Sequence, residues 1–470
     1  MSEKKILLLG SGFVAAPAVE YILRRPENKL TIASRRLENA QALVKQFPQN
    51  TTAVSCDIND DQAIEDLVAQ HDLVIRQVDL IPGICIAVAY LRLSSLIPYI
   101  YHAKVIKAAV KHKKNVVTTS YVSPAMMEYD QAAKDAGITV MNEIGLDPGI
   151  DHLYAVRTID EVHQQGGKLL EFISFCGGLP APENSNNPFG YKFSWSARGV
   201  LLALKNTAKY LENGKVIEAS GIALMDSARP LNSGYPGYAF VGYGNRDSTP
   251  YDKRYNIPEA KTIIRGTLRY DGFCQFVKVL VNFGFLSEEE QPHLLSSAPE
   301  IAWNQVLANI TGAASTDAQT LKEAVIAKAE LDQNPRKAHI LEGMRWLGFF
   351  SDTKVHRRGN LLDTFCATLE EKMQYEEGER DMVFLQHRFE IELKDGTHQT
   401  RTSTLVEYGV PGKYTAMAKT VGVPCGIAVQ LILDGKLTKK GVIAPMSAEI
   451  NDPIIELVEK EGIGMVEAIF

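Results

Sequence analysis

Two lysines, Lys4 and Lys5, lead into the apolar run Ile6-Leu7-Leu8-Leu9, which breaks at Gly10-Ser11-Gly12-Phe13-Val14-Ala15 into a helical pattern. An apolar run without alternation predicts a parallel strand covered on both faces. The same rhythm then recurs: strand 30–33, helix 37–46, a strand ending near Asp57, helix 61–69, strand 72–75, helix 103–111, strand 115–119, helix 124–134 and strand 138–142. Six strands alternating with helices predict an α/β fold, a Rossmann-like doubly wound parallel sheet occupying residues 1–148. Ligands of such sheets bind beyond the carboxyl ends of the strands, so Asp57, Ile58, Thr119, Ser120 and Tyr121 fall on the ligand side.

From Gly145 the pattern changes. Gly145-Leu146-Asp147-Pro148-Gly149-Ile150-Asp151-His152 is rich in turn residues and leads into a helix for which Asp151 is the predicted N-cap. Strand-like runs at 169–175, 238–243, 262–270, 382–393 and 402–408 lie among glycine- and proline-bearing loops. They predict a second, mixed α+β domain built from 149–285, 376–413 and 434–470, for substrate binding and dimerisation. Residues 286–375, with amphipathic windows at 321–331 and 361–373, predict a helical insert, and the helical stretch 414–433 is expected to pack back on the first domain. One segment fits no element: 80–91 is apolar, contains Pro82 and Gly83, and is too short to span a membrane.

The break after the first strand carries chemistry. In G-x-G-x-x-A, Gly10 permits a tight turn, Gly12 leaves room for a pyrophosphate, and Ala15 lets helix and strand pack closely. The helix that follows points its first N–H groups at the phosphates. The second strand ends in Ser34-Arg35-Arg36, where an NAD enzyme places an acid to hold the ribose 2′-OH. Arginine there compensates a 2′-phosphate, so the expected cofactor is NADP.

At 470 residues the chain has room for about three domains. Its formal net charge of -6 disfavours a nucleic-acid partner, and Lys107, Lys111, Lys113 and Lys114 read as the wet end of a helix. Six scattered cysteines without a CxxC pair, and ten histidines without an HExxH motif, predict no metal site and a reducing compartment. There is no cleavable signal pattern before the first strand, so a cytoplasmic location without membrane attachment is expected.

The segments GSGFVAAPAVEYI, SLIPYIYHAKVIKAA, VVTTSYVSPAM, GITVMNEIGLDPGIDHLYAV, FCGGLPAPENSNNPFGYKFSWSARGVLLAL, GNRDSTPY, IIRGTLRYDGF, ERDMVFLQH and EINDPI together resemble the fungal saccharopine reductases, the NADP-dependent, L-glutamate-forming saccharopine dehydrogenases. The resemblance runs nearly the length of the chain. It implies condensation of L-glutamate with 2-aminoadipate 6-semialdehyde and reduction of the imine by NADPH to saccharopine, in lysine biosynthesis by the 2-aminoadipate route. It also implies a homodimer. By the same matching, Ser11, Gly12, Phe13, Val14, Ser34, Arg35, Arg36, Asp57, Ile58, Ile97, Thr119, Ser120, Leu146, Asp147, Pro148 and Ser196 fall at cofactor positions. Ser120, Tyr121, Asp147, Arg246, Thr267, Leu268 and Arg269 fall at substrate positions.

Asp147, Tyr121 and Cys176, which match family residues placed near the substrate, are the candidates for handling protons when amine attacks aldehyde and water leaves. Each has a structural alternative: a turn residue before Pro148, a buried phenol satisfying its own O–H, and a small buried hydrophobe. Saccharopine carries three carboxylates, which suit the planar forks of Arg246 and Arg269. Arg265, four residues before Arg269 and on the same strand face, either assists or pairs with a surface acid.

Two other readings compete. A polyamine-type imine, as in the carboxynorspermidine enzymes, has fewer carboxylates and would not need both arginines. A catalytically silent NADP-binding regulator would keep Gly10, Gly12 and Arg35 but need not keep Asp147 with the arginines. The main departure from the family is the insertion after Ile75: removing 76–94 restores Val74-Ile75-Ser95-Leu96-Ile97-Pro98, so these residues are expected to be absent from the working protein, as a short retained intron would be.

Overall fold

The computed structural model describes residues 2–76, 99–193, 197–220 and 223–470. The expectation about 76–94 therefore lies outside the described residues, apart from Arg76.

The first sheet grows from β1 (Lys4–Leu9), α1 (Ala15–Leu23), β2 (Asn28–Ser34), α2 (Leu37–Gln46), β3 (Thr51–Ser55), α3 (Asp61–Ala69) and β4 (Leu73–Arg76). It continues through α4 (Tyr99–His112), β5 (Asn115–Thr118), α5 (Pro124–Met127), α6 (Asp130–Asp135) and β6 (Thr139–Met141). Ile6, Leu7 and Leu8 are wholly buried, as the apolar run requires of a central strand. Among the described residues the parallel order ends β6-β5-β4-β1-β2-β3, so the direction of winding reverses between β1 and β4, where such sheets hold their ligands.

The second unit starts with α7 (Ile150–Gln164), β7 (Lys168–Pro180), α8 (Ala197–Ala203), β8 (Ala208–Glu212), β9 (Lys215–Ala219), α9 (Ala223–Asp226), β10 (Arg229–Leu231), β11 (Phe240–Gly244), α10 (Tyr251–Arg254), β12 (Thr262–Tyr270) and α11 (Phe273–Asn282). Four helices follow, α12 (Trp303–Thr311), α13 (Ala318–Lys328), α14 (Lys337–Trp346) and α15 (Leu361–Lys372). Trp303 and Phe365 from these helices pack with Phe285 and Phe349 from the connecting segments into the same core as α11. The chain then returns through β13 (Asp381–Glu392), β14 (His398–Tyr408), α16 (Ala416–Leu433), β15 (Gly441–Ile443), α17 (Ala448–Lys460) and β16 (Val466–Ile469). The order of the second sheet is β10-β11-β12-β7-β13-β14-β16, with β8 and β9 attached beside β12.

Two features differ from the sequence reading. Part of 434–470, grouped by sequence with the second domain, belongs to the first sheet: β15 pairs in parallel with β6 and covers its edge. Asp151 is not the N-cap of α7. Gly149, at φ 150°, takes that place, and Asp151 in the first turn accepts a hydrogen bond from the Gly149 N–H at 2.6 Å.

Helix α16 joins the two sheets. It is long and apolar enough to cross a bilayer, but it is buried inside the protein. Its first turn is held by Thr415, and by Asp381 at the start of β13, which accepts from Ala416 N at 2.6 Å and Met417 N at 2.9 Å. Gly422 lets it touch α1: a Cβ there would meet the Val14 carbonyl oxygen at 2.7 Å and Ala18 N at 3.0 Å. The helix from the second half of the sequence thus braces the turn of the glycine motif.

Candidate active site

The glycine motif has the geometry that a dinucleotide requires. Gly10 takes φ 117° and donates its N–H to Ala33 O at 2.9 Å, and Ala15 N closes the turn onto Gly12 O at 3.0 Å. No side chain caps α1, so its first N–H groups point into the crevice. Around it, Ser11, Gly12 and Val14 are half-buried, Phe13 is exposed, and Ser34 is buried at the end of β2. Arg35 is half-buried and Arg36 is exposed, both beside that end. Asp57 and Ile58 follow β3, with the Asp57 carboxylate accepting from Asn59 N at 2.9 Å. Thr119 and Ser120 follow β5, while Leu146 and Pro148 are buried in the turn before α7. Ile97 and Ser196 lie outside the described residues. Among the described residues, the glycine turn with the uncapped start of α1, and Arg35 with Arg36, have the chemistry to hold the phosphates and 2′-phosphate of NADP.

The second sheet presents one face to this crevice. Alternation along β12 puts Arg265, Thr267 and Arg269 on that face, and in the parallel register Cys176 of β7 stands opposite Thr267. Leu268 points the other way: it is wholly buried in the core with α11, so at this position only the backbone is available, and its carbonyl accepts from Arg269 Nη1 at 2.7 Å. Thr267 Oγ1 accepts from Asn245 Nδ2 at 3.0 Å.

Between the two sheets lies a ring of buried charge. Tyr121 Oη donates to Asp147 Oδ1 at 2.7 Å, and Arg265 Nη2 donates to the same oxygen at 2.8 Å. The two hydrogens of Nη2 serve two carboxylates, because it also contacts Asp151 Oδ2, while Nη1 contacts Tyr251 Oη. Asp151 is followed by His152, whose Nδ1 lies 2.6 Å from Tyr255 Oη and whose Nε2 lies 2.8 Å from Glu143 Oε2. Glu143 also takes Arg254 Nη2 at 2.5 Å and accepts from Val122 N at 2.9 Å, which brings the ring back to the residue after Tyr121. Glu143, Asp151 and His152 are wholly buried. Arg246 stands over Tyr121, its guanidinium 4.2 Å from the centre of the ring.

The ring sets the protonation of its members. Burial pushes the Asp147 carboxyl up, but Arg265, the Tyr121 hydrogen bond and Arg246 outweigh it and hold it below the ordinary carboxylate value. Asp151 goes the other way: burial raises it more than His152 and Arg265 lower it, and the Asp147 charge adds to the rise. Burial and the Asp147 charge push the Tyr121 phenol and the Cys176 thiol well above their ordinary values. Cys176 therefore stays a thiol, and Asp147 is held ionised.

Sequence reasoning left open whether Arg265 assists or pairs with a surface acid. The structure settles the pairing: both of its acids, Asp147 and Asp151, are inside the protein. Glu143, Asp151, His152, Tyr251 and Arg254 were not read as site residues at all. The one local signal is an acid and a histidine inside the DPGIDH turn; the arginines that pair with Glu143 and Asp151 are more than a hundred residues away from them.

Glu143 offers a pH test. Burial raises its carboxyl, but His152, Arg254 and the Val122 N–H bring it down to about 2 from an ordinary 4.5. A depressed carboxyl stabilises fully above its unfolded value, and the contribution fades as pH falls through the folded one. About 3 kcal/mol is expected to disappear between these values. Acid denaturation of Glu143→Gln is expected to lack that steep component; an unchanged acid transition would contradict the pairing.

Fold and site define a two-domain, nicotinamide-dependent oxidoreductase whose substrate cleft is lined by arginines. Comparison with known proteins narrows the class. Residues 6–87 and 93–141 match the saccharopine dehydrogenase NADP binding domain, and residues 145–463 match the saccharopine dehydrogenase C-terminal domain. The chain is 56% identical to a saccharopine dehydrogenase [NADP(+), L-glutamate-forming] of Pyricularia oryzae, covering all of both proteins. It is 55% identical to the Schizosaccharomyces pombe protein of that name, over 99% of this chain and 98% of that one. A solved apo structure of saccharopine dehydrogenase (L-Glu forming) from Saccharomyces cerevisiae superposes with a TM-score of 0.89 at 51% identity, covering 99% of this chain and all of that one. The chain belongs to the saccharopine dehydrogenase family.

Proposed function

We propose that the protein catalyses the NADP-linked, reversible formation of saccharopine from L-glutamate and 2-aminoadipate 6-semialdehyde, as a cytoplasmic homodimer serving lysine biosynthesis. The observation that carries the substrate is Arg269. Its guanidinium is buried, lies 4.8 Å from the Tyr191 ring and 5.2 Å from Phe273, and has no carboxylate at ion-pair distance among the described residues. A buried cation of this kind is stable when a ligand brings the anion. Arg246, over the Tyr121 ring, suits a second carboxylate. Two such arginines favour a polycarboxylate over a polyamine-type imine, and the hydrogen-bonded, half-buried Asp147–Tyr121 pair favours a catalyst over a silent regulator.

The residues act on protons and position. Asp147 takes a proton from the ammonium group of glutamate, and the freed amine forms the C–N bond to the aldehyde carbon. After the proton moves from nitrogen to oxygen, Asp147 returns its proton to the hydroxyl, which leaves as water while the nitrogen lone pair closes the C=N bond. The bound cofactor supplies the hydride that reduces this carbon. Arg246 and Arg269 hold the carboxylates, and the packed sheets keep bulk water out of the cleft.

Arg35 and Arg36 are assigned to the 2′-phosphate. Arg35→Asp is expected to weaken NADPH binding by one to two decades, through loss of a charge-assisted pair of about 1.5 to 3 kcal/mol. Fluorescence titration checks this, and unchanged affinity would remove the assignment.

A further inference from the structure

Arg269 rests in a corner made by two aromatic rings. Its guanidinium lies 4.8 Å from the centre of the Tyr191 ring and 5.2 Å from that of Phe273, and the rings meet edge to face with their centres 5.8 Å apart. Three distances so nearly equal put both rings on one flank of the cation, not on opposite sides of it. Nη1 is tied to the Leu268 carbonyl at 2.7 Å. The rings are themselves held. Phe273 is buried in the first turn of α11, and Tyr191 is buried in a loop pinned on both sides: Asn187 Nδ2 donates to the Tyr191 carbonyl at 2.8 Å, and Lys192 Nζ lies 2.5 Å from both carboxylate oxygens of Glu379. We propose that Tyr191 and Phe273 are positioning residues for the substrate: their faces fix the Arg269 guanidinium in the orientation that receives a carboxylate. The proposal rests on the reading of Arg269 as a carboxylate site.

The electrostatics explain why rings serve here. A guanidinium out of water needs negative charge beside it, which an acid commonly supplies. An acid at Arg269 would compete with the incoming carboxylate for the same N–H groups. An aromatic face offers only the negative side of its quadrupole, so it steadies the cation and leaves its full charge to the ligand. The other neighbours of Arg269 are neutral as well. Burial pushes Tyr243 and Cys274 up to about 12, and Cys176 well above the ordinary thiol value, so none of them is an anion at neutral pH. A fork fixed in advance also spares the ligand the cost of ordering it. Core packing alone would account for two buried rings, but it predicts no dependence on Arg269.

The test is turnover of saccharopine with NADP+ by the full-length enzyme, read as KM and kcat, with NADP+ binding and thermal melts measured beside it. Arg269→Met is expected to raise KM at least about tenfold. Tyr191→Leu and Phe273→Leu are each expected to raise it about tenfold, with kcat and NADP+ binding close to those of the parent. Tyr191→Phe, which keeps the ring face, is expected to recover most of that loss. In an Arg269→Met background either leucine change is expected to add nothing further. A parent that does not turn over saccharopine would overturn the proposed function, and an active parent with an unmoved KM in Arg269→Met would overturn the carboxylate site. A KM raised in Arg269→Met but unmoved in a leucine variant would overturn the positioning role of that ring, as would a leucine effect of equal size with and without Arg269. Where a leucine variant does not melt cooperatively, a fluorinated phenylalanine in place of Tyr191 decides, because it keeps the shape of the ring and drains its face of negative charge. A KM above that of Tyr191→Phe supports the proposal, and an equal one overturns it.

Discussion

Arg265→Ala is expected to be among the most damaging single changes in the protein, costing about 3 to 5 kcal/mol of stability. The size follows from what is left behind. Arg265 is 6% exposed, and its Nη2 serves Asp147 and Asp151, so truncation leaves two carboxylates in the interior without their shared cation. Both would take up protons to remain buried, and Asp147 would lose the charge that keeps it ionised. The variant should therefore melt lower than the parent and recover part of the difference at acid pH, where neutral carboxyls need no partner. Differential scanning calorimetry across pH measures both effects. A variant as stable as the parent at neutral pH would mean that the ring does not hold the cleft together.

A second large effect is expected at Gly149. Its φ of 150° is available to glycine and strained for other residues, and a Cβ there would overlap the backbone of Gly145. Gly145 cannot move aside, because its N–H donates to Pro148 O and its carbonyl accepts from Ile150 N, both at 2.9 Å. The turn that carries Asp147 would have to open. Gly149→Ala is expected to lose more than about 4 kcal/mol, in the range reserved for severe backbone or core defects. Urea denaturation gives the value, and a change below about 1 kcal/mol would show that the turn adapts.

These two positions mark what the sequence discloses and what it withholds. The first sheet was legible because its signals are local: an apolar run, a glycine turn and a helix repeat within thirty residues. Strand alternation likewise placed Arg265 and Arg269 on one face of β12. What opposes that face could not be read. Arg265 is 118 residues from Asp147 and 114 from Asp151, and only the packing of two separately wound sheets brings them together. The same holds for β15, a three-residue strand that completes the first sheet from the far end of the chain. The resemblance places Leu268 at a substrate position with its neighbours, although its own alternation turns its side chain into the core.

The central claim, that this cleft joins glutamate to an aldehyde with NADPH as reductant, is tested most directly by following NADPH oxidation in the purified enzyme. L-Glutamate and 2-aminoadipate 6-semialdehyde are supplied together and then each alone, with saccharopine and NADP+ as the reverse assay. Oxidation that requires both partners, a product with the mass of saccharopine, and reverse turnover are predicted. Equal oxidation without glutamate, or with an amine that carries no carboxylate in its place, would contradict the account.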